Sequence, residues 1–381
     1  MDASGRPFNF SAGPAILPTE VFDQAAEAVR ELRLDGHAAD GEGIGLSVLE
    51  VSHRGGPYQA IHTRALELAY EVLGLSPETY DIMLLPGGAS MQFVMVPANL
   101  TQPDRAACFV DTGTWSTKAI AEAKTFGEVD VIASSADESY DHIPAFDMEQ
   151  VSGSSYLHLT TNNTIKGTEF DDIPVGPDGV PVVIDASSHI ASRPMSLERV
   201  ALGYAGAQKN LGCSGLCLVF ARKELLASRA EQASRHPKFL RYGTHLAANS
   251  LFNTPNTFGV LVLKLVLEWV QAAGGVEEMG RRNAAKSDLL YTTLDASSLF
   301  AALARPGHRS RMTIPFVLQN VSDEQREALT SRFLAEADAA GLQGLKGHRS
   351  VGGFRACMYN AFPMAGAEAL VSFMREFERR A

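Results

Sequence analysis

The chain has 381 residues, 45% hydrophobic and 20% charged, which suits a globular protein of about two to three domain-sized units. A formal net charge of −11, with no basic stripe, argues against nucleic acid as a partner. The longest apolar helix candidate, Val260 to Val270, is interrupted by Lys264 and Glu268 and is too short for a bilayer, so no membrane role is expected.

Helical patterns alternate with short apolar runs. Tyr58 to Leu73 reads as a helix closed by Gly74, and Asp81 to Leu85 as a buried strand. The run Leu84 to Phe93 then turns through Gly87-Gly88 into another helix. Further strands are expected at Ala107–Val110, Val129–Ile132, Tyr156–Leu159, Val182–Ile184 and Gly215–Ala221. Strands interleaved with helices predict an α/β fold around a mostly parallel sheet covered on both faces.

The texture changes near Thr257. A helix capped by Asn256 or Thr257 runs to Gly274-Gly275, and a second covers Val276 to Leu294. A strand (Met312–Leu318), a helix (Asp323–Ala340), a strand (Phe354–Tyr359) and a helix (Gly366–Arg379) follow, an order that predicts a smaller C-terminal α+β domain. The start of the chain, Met1-Asp-Ala-Ser-Gly-Arg-Pro7, lacks the apolar segment of an export signal. The four cysteines, Cys108, Cys213, Cys217 and Cys357, are scattered without a second pair or nearby histidine. They read as buried thiols in a reducing cytoplasm, with no metal site.

Chemistry concentrates in a few segments. Lys209 sits among small residues in Gly203-Tyr-Ala-Gly-Ala-Gln-Lys-Asn-Leu-Gly212, and Asp185 ends the apolar run beginning at Val182. Burial among small residues lowers the pKa of a lysine, so that it can form a Schiff base. An acid that stays ionised can hold the proton of a pyridine nitrogen, and the pair suits a pyridoxal-phosphate enzyme. Taken alone, it fits a surface lysine and an aspartate capping a helix from Ser187 onward equally well.

The Gly87-Gly88 turn between strand and helix leaves first-turn N–H groups open for a phosphate. Trp115, in the polar turn Asp111-Thr-Gly-Thr-Trp-Ser-Thr-Lys118, has the shape to stack on a planar ring or to fill core. Two His-Arg pairs are bordered by glycine, His53-Arg54 and His348-Arg349, the second followed by Arg355. In an acidic chain these planar cationic forks suit a dianionic substrate, against the plain alternative of surface charge.

Taken in order, several segments resemble the phosphoserine aminotransferase family, class V enzymes of pyridoxal-phosphate fold-type I. They are Asn9-Phe-Ser-Ala-Gly-Pro14, Ser52-His-Arg-Gly55, Gly87-Gly88 with Gln92-Phe93, and Thr112-Gly-Thr-Trp115. Thr161-Asn-Asn-Thr-Ile165, Ala205-Gly-Ala-Gln-Lys-Asn210, Asn253-Thr-Pro255 and Gly347-His-Arg349 with Arg355 continue the match almost to the end.

The resemblance implies that Lys209 forms the Schiff base and shuttles the proton, while Asp185 pairs with the ring nitrogen. It implies Trp115 stacked on the ring, Thr164 near the phenolic oxygen, and Ala89, Ser90 and Gln208 on the cofactor phosphate. Asn253 and Thr254 would reach that phosphate from a second subunit, making an obligate homodimer with active sites at the interface. His53, Arg54, His348 and Arg349 would receive the substrate phosphate or the glutamate side-chain carboxylate, Arg355 the α-carboxylate, and Ser11 the amino-acid substrate.

The implied division is an N-terminal arm at 1–17 packing with the small domain, a large cofactor-binding domain at 18–270 and a small C-terminal domain at 271–381. The implied reaction is reversible amino transfer between L-glutamate and 3-phosphohydroxypyruvate, giving 2-oxoglutarate and O-phospho-L-serine for serine biosynthesis. Ser90, Asn163 and Asn256 depart from the family's commonest residues (Arg, Glu and Pro), but none removes a group the chemistry requires. Three rivals remain: a class V aminotransferase of small uncharged amino acids, a same-fold lyase or desulfurase needing an accessible cysteine, and a non-catalytic phosphate-binding protein.

Overall fold

The computed structural model describes residues 5–33 and 43–381; the first four residues of the expected arm lie outside the described residues. Strands in chain order are β1 (Phe8–Asn9), β2 (Tyr80–Leu85), β3 (Ala107–Asp111), β4 (Val129–Ser134), β5 (Tyr156–Thr160) and β6 (Val182–Asp185). They continue with β7 (Leu202–Gly206), β8 (Cys217–Arg222), β9 (Phe300–Ala302), β10 (Thr313–Leu318), β11 (Leu342–Gln343) and β12 (Phe354–Cys357).

The seven central strands form one sheet in the order β2-β8-β7-β6-β5-β3-β4. From β7 to β4 every pairing is parallel, and β8 runs antiparallel to both of its neighbours. Both faces are buried because alternate side chains of each strand feed different cores. Ile82 and Leu84 of β2 pack with the helices Gly56–Leu73 and Thr257–Ala272, while Met83 and Leu85 pack with Gly88–Leu100 and Thr114–Ala123.

β7 is a strand that apolar pattern alone did not reveal. Its sequence Leu-Gly-Tyr-Ala-Gly carries two glycines, which weaken strand propensity. Packing explains Gly203: a Cβ there would stand 2.2 Å from Cζ of Phe220 on β8. The helix Thr19–Arg30 was likewise not anticipated. Trp115, expected in a turn, lies in the first turn of the helix Thr114–Ala123. The Ser116 hydroxyl accepts from the amides of Thr112 and Gly113 at 2.9 and 3.0 Å, and this hydrogen bonding starts the helix.

Beyond Gly275, β12, β10 and β9 form an antiparallel sheet. It packs with the helices Gly275–Ala296, Asp323–Ala339 and Met364–Arg380 around Phe300, Phe316, Phe333, Phe354 and Phe377. Phe8 and Phe10 enter this same core, and β1 pairs parallel with β11. Farther along the arm, the Ala15 amide donates to the Gln208 carbonyl at 2.9 Å, bringing it against the lysine segment.

Candidate active site

The parallel strands end together, and their C-terminal ends border a cavity of about 580 Å³. This is where an open α/β sheet gathers ligand-binding groups. The loop after β2 reaches it through Gly87 (φ 87°) and Gly88 (φ 63°), both in the left-handed region. A Cβ on Gly87 would also stand 2.8 Å from the Met91 Cβ. The helix Gly88–Leu100 begins there without a side-chain cap, so its first-turn amides are free for a ligand, and Ala89 and Ser90 line the cavity.

Lys209 follows β7. It is 8% exposed, lines the cavity, and its Nζ donates to Thr164 Oγ1 at 2.8 Å. Burial lowers its pKa from 10.5 to about 8; Asp185 and Cys357 oppose the shift and Arg355 adds to it. Asp185, at the end of β6, is pushed upward by burial, against the pull of Ser187, Lys209 and His189. Its Oδ1 accepts from the Ser187 amide at 3.0 Å, so it caps a local turn while also lining the cavity. The helix expected from Ser187 onward as the alternative role for Asp185 does not form; residues 187–190 are turns.

Trp115 lines another side, and its Nε1 is buried without a hydrogen-bond partner among the described residues. Gln208 lines the cavity beside Lys209. His348 and Arg355 close the side formed by the C-terminal segment, and Arg355 Nη1 donates to the Thr164 carbonyl at 3.3 Å. Burial lowers the pKa of His348, and the charges of Arg355, Arg349 and Lys118 lower it further.

Six expected residues do not line the cavity of this chain: Ser11, His53, Arg54, Asn253, Thr254 and Arg349. Ser11 is adjacent to the lining residue Ala12, and its amide donates to Asn9 Oδ1 at 3.0 Å. Arg349 is exposed beside His348. His53-Arg54 precedes the helix Gly56–Leu73, and Asn253-Thr254 precedes Thr257–Ala272. These helices run side by side in the same direction: Thr257 Oγ1 donates to the Val48 carbonyl at 3.3 Å near one end, and Gln271 pairs with Glu71 near the other. The two outlying pairs therefore share one end of the molecule, where Leu46, Leu49 and Phe252 are exposed.

The sequence reading overlooked Asn162, Ser187 and Ser188, which also line the cavity. Asn162 Nδ2 donates to Ser188 Oγ at 2.7 Å, and Ser188 Oγ donates to the Asn162 carbonyl at 2.8 Å. Only the serine pair just after Asp185 was a usable signal. Cys357 is buried, and burial raises its thiol to about 11, which disfavours the mobile nucleophile a desulfurase needs.

A buried lysine, a buried acid and an uncapped helix start on this α/β sheet define an aminotransferase-like site. The family model described as aminotransferase class-V matches residues 7–370, and the chain belongs to that family. Its relatives are more particular: it is 43% identical to the phosphoserine aminotransferase of Bacillus subtilis over 375 residues, covering 98% of this chain and 99% of the relative. The fold superposes on phosphoserine aminotransferase from Bacillus circulans subsp. alkalophilus with a TM-score of 0.89, 39% identity, and coverage of 98% and 99% of the two chains. The pyridoxal-phosphate-bound phosphoserine aminotransferase of Trichomonas vaginalis gives a TM-score of 0.87, 33% identity, and coverage of 97% and 100%.

Proposed function

We propose that this chain is a pyridoxal-phosphate-dependent aminotransferase. It moves an amino group reversibly between L-glutamate and 3-phosphohydroxypyruvate, giving 2-oxoglutarate and O-phospho-L-serine in serine biosynthesis. The observation that carries the reading is the placement of Lys209 and Asp185 in one cavity with His348 and the Arg355 guanidinium.

The residues present suit the cofactor. Amides of the uncapped helix start, with Gln208, would hold its phosphate; Asp185 would hold the proton of its ring nitrogen; Trp115 would cover the ring; and the Thr164 hydroxyl would meet its phenolic oxygen. Bound there, the cofactor supplies an aldehyde and an electron-withdrawing ring. Lys209 Nζ, with its pKa lowered to about 8, is neutral often enough near neutral pH to take the proton from the substrate Cα and return it.

Arg355 would receive the α-carboxylate, with the Thr164 carbonyl aiming its guanidinium. His348 and Arg349 would hold the substrate phosphate in one direction and the glutamate γ-carboxylate in the other, with Ser11 touching the amino acid. Asn253, Thr254, His53 and Arg54 belong to this chemistry only if a second copy supplies them. Their shared position at one apolar end of the chain supports a homodimer with active sites at the interface.

The division into an arm at 1–17, a large unit at 18–270 and a small unit at 271–381 is supported by separate cores, with Phe8 and Phe10 belonging to the small unit's. The four unpaired cysteines support a reducing cytoplasmic setting. Purified protein given pyridoxal phosphate, glutamate and 3-phosphohydroxypyruvate should form 2-oxoglutarate and O-phosphoserine in equal amounts. No product under these conditions overturns the reading.

A further inference from the structure

Lys118 lies outside the cavity lining and outside the roles assigned above, yet it stands against Trp115, which lines the same cavity as His348 and Arg355. On the helix Thr114–Ala123 it is three residues from Trp115 and shares its face. Its Nζ lies 4.8 Å from the Trp115 ring centroid, and its charge acts on His348 together with Arg349 and Arg355. No ion pair occupies Lys118 among the described residues. Uncompensated cations repel one another, so such a cluster is favourable when an anion of more than one charge joins it.

We propose that Lys118 is a specificity-determining residue: it makes the receptor prefer the phosphate dianion of the three-carbon substrate over the γ-carboxylate of glutamate. The proposal rests on the reaction proposed above. One receptor must hold both groups in turn, and forks such as Arg355 fit either one. A phosphate ester carries about −1.5 to −2 near neutral pH, whereas a carboxylate carries one unit, so an added cation attracts the phosphate nearly twice as strongly. Contact with the Trp115 ring face holds the otherwise flexible lysine chain at the cavity wall, which reduces the entropy lost on binding.

The test follows the visible absorption of the cofactor-loaded protein after mixing with O-phosphoserine or with glutamate, each as a single half-reaction across a range of concentrations. Lys118→Met keeps length and apolar contact but removes charge; Lys118→Gln repeats the loss with a polar chain; Lys118→Arg restores the charge. Both neutral variants should lower the O-phosphoserine-to-glutamate ratio of kcat/KM by about tenfold, through weaker apparent binding, with the wild-type excess fading at high salt. Lys118→Arg should recover most of the ratio. An unchanged ratio, or an equal decline for both substrates, overturns the proposal. A wild-type protein that does not react with O-phosphoserine refutes the parent reading instead.

Discussion

Lys209 Nζ and Thr164 Oγ1 meet at 2.8 Å, joining the loop after β7 to the loop after β5 across the cavity. The Thr164 carbonyl also accepts from Arg355 at 3.3 Å, so one residue touches both the buried Lys209 amine and the proposed carboxylate receptor. Several measurable consequences follow from the burial and charge around this junction.

Lys209 is depressed from 10.5 to about 8 in the fold. Between those values the unfolded chain binds more protons than the folded one, so this group makes the stability of the cofactor-free protein rise with pH through that window. Below it the buried charge carries its full cost, at most about 3 kcal/mol for a shift of this size. Lys209→Met should therefore melt a few degrees higher than wild type at pH ~7 in cofactor-free form, with the gain shrinking near pH ~10. The same variant should show no visible cofactor band and no turnover. A lower melting temperature at neutral pH would contradict the assigned cost of burial.

Asp185→Asn keeps the shape but cannot hold a proton on the ring nitrogen as an anion does. It should lower kcat by about a hundredfold or more, the scale of losing a preorganised charge partner, while KM changes by only a few fold. Steady-state kinetics read both constants. A kcat within threefold of wild type (~0.7 kcal/mol) would remove Asp185 from the mechanism.

Glu169 is a buried acid outside the cavity lining, and its Oε1 takes Arg193 Nε and Arg311 Nη1 at 3.0 Å each. Burial alone would raise its pKa; the His189 ring, the Arg311 amide and Arg193 overcome this and hold it at about 2, below the ordinary 4.5. The resulting stability is present above the ordinary value and is lost as pH falls from about 4.5 toward 2. Glu169→Gln should cost about 2–4 kcal/mol at pH ~7 and flatten the acid limb of the stability curve. Denaturant melts across pH measure both effects; an unchanged midpoint and slope would contradict them.

Much of this arrangement was legible in the chain. Gly87-Gly88 predicted a strand-to-helix turn because positive φ at both positions suits glycine. Apolar runs marked β2, β3, β5, β6 and β8 to within a few residues, since strands of a sheet covered on both faces are apolar on both. β7 escaped because its two glycines serve close packing against neighbours far away in sequence. The Lys209–Thr164 contact spans 45 positions, and the Glu169 network likewise joins residues from separate segments. Lys118 gave no signal, because an exposed lysine becomes informative only once the cavity-lining Trp115 is placed against it.

A shared active site has a genetic signature. Lys209→Ala and Arg54→Ala should each be nearly inactive alone, but mixed and re-equilibrated they should recover about a quarter of wild-type activity. Random pairing makes half the dimers mixed, and each of these has one intact site. Coupled assays before and after mixing read the recovery. No gain, with exchange confirmed by mass-tagged subunits, would place Arg54 outside the partner's site.

The central claim is that the cavity is built for a phosphorylated amino acid. The most direct measurement is kcat/KM for O-phosphoserine against serine and alanine, with 2-oxoglutarate as the acceptor. The account predicts at least about a hundredfold preference for O-phosphoserine (~2.7 kcal/mol) from its dianion on the His348, Arg349 and Arg355 cluster. Equal values for the three amino acids would contradict it.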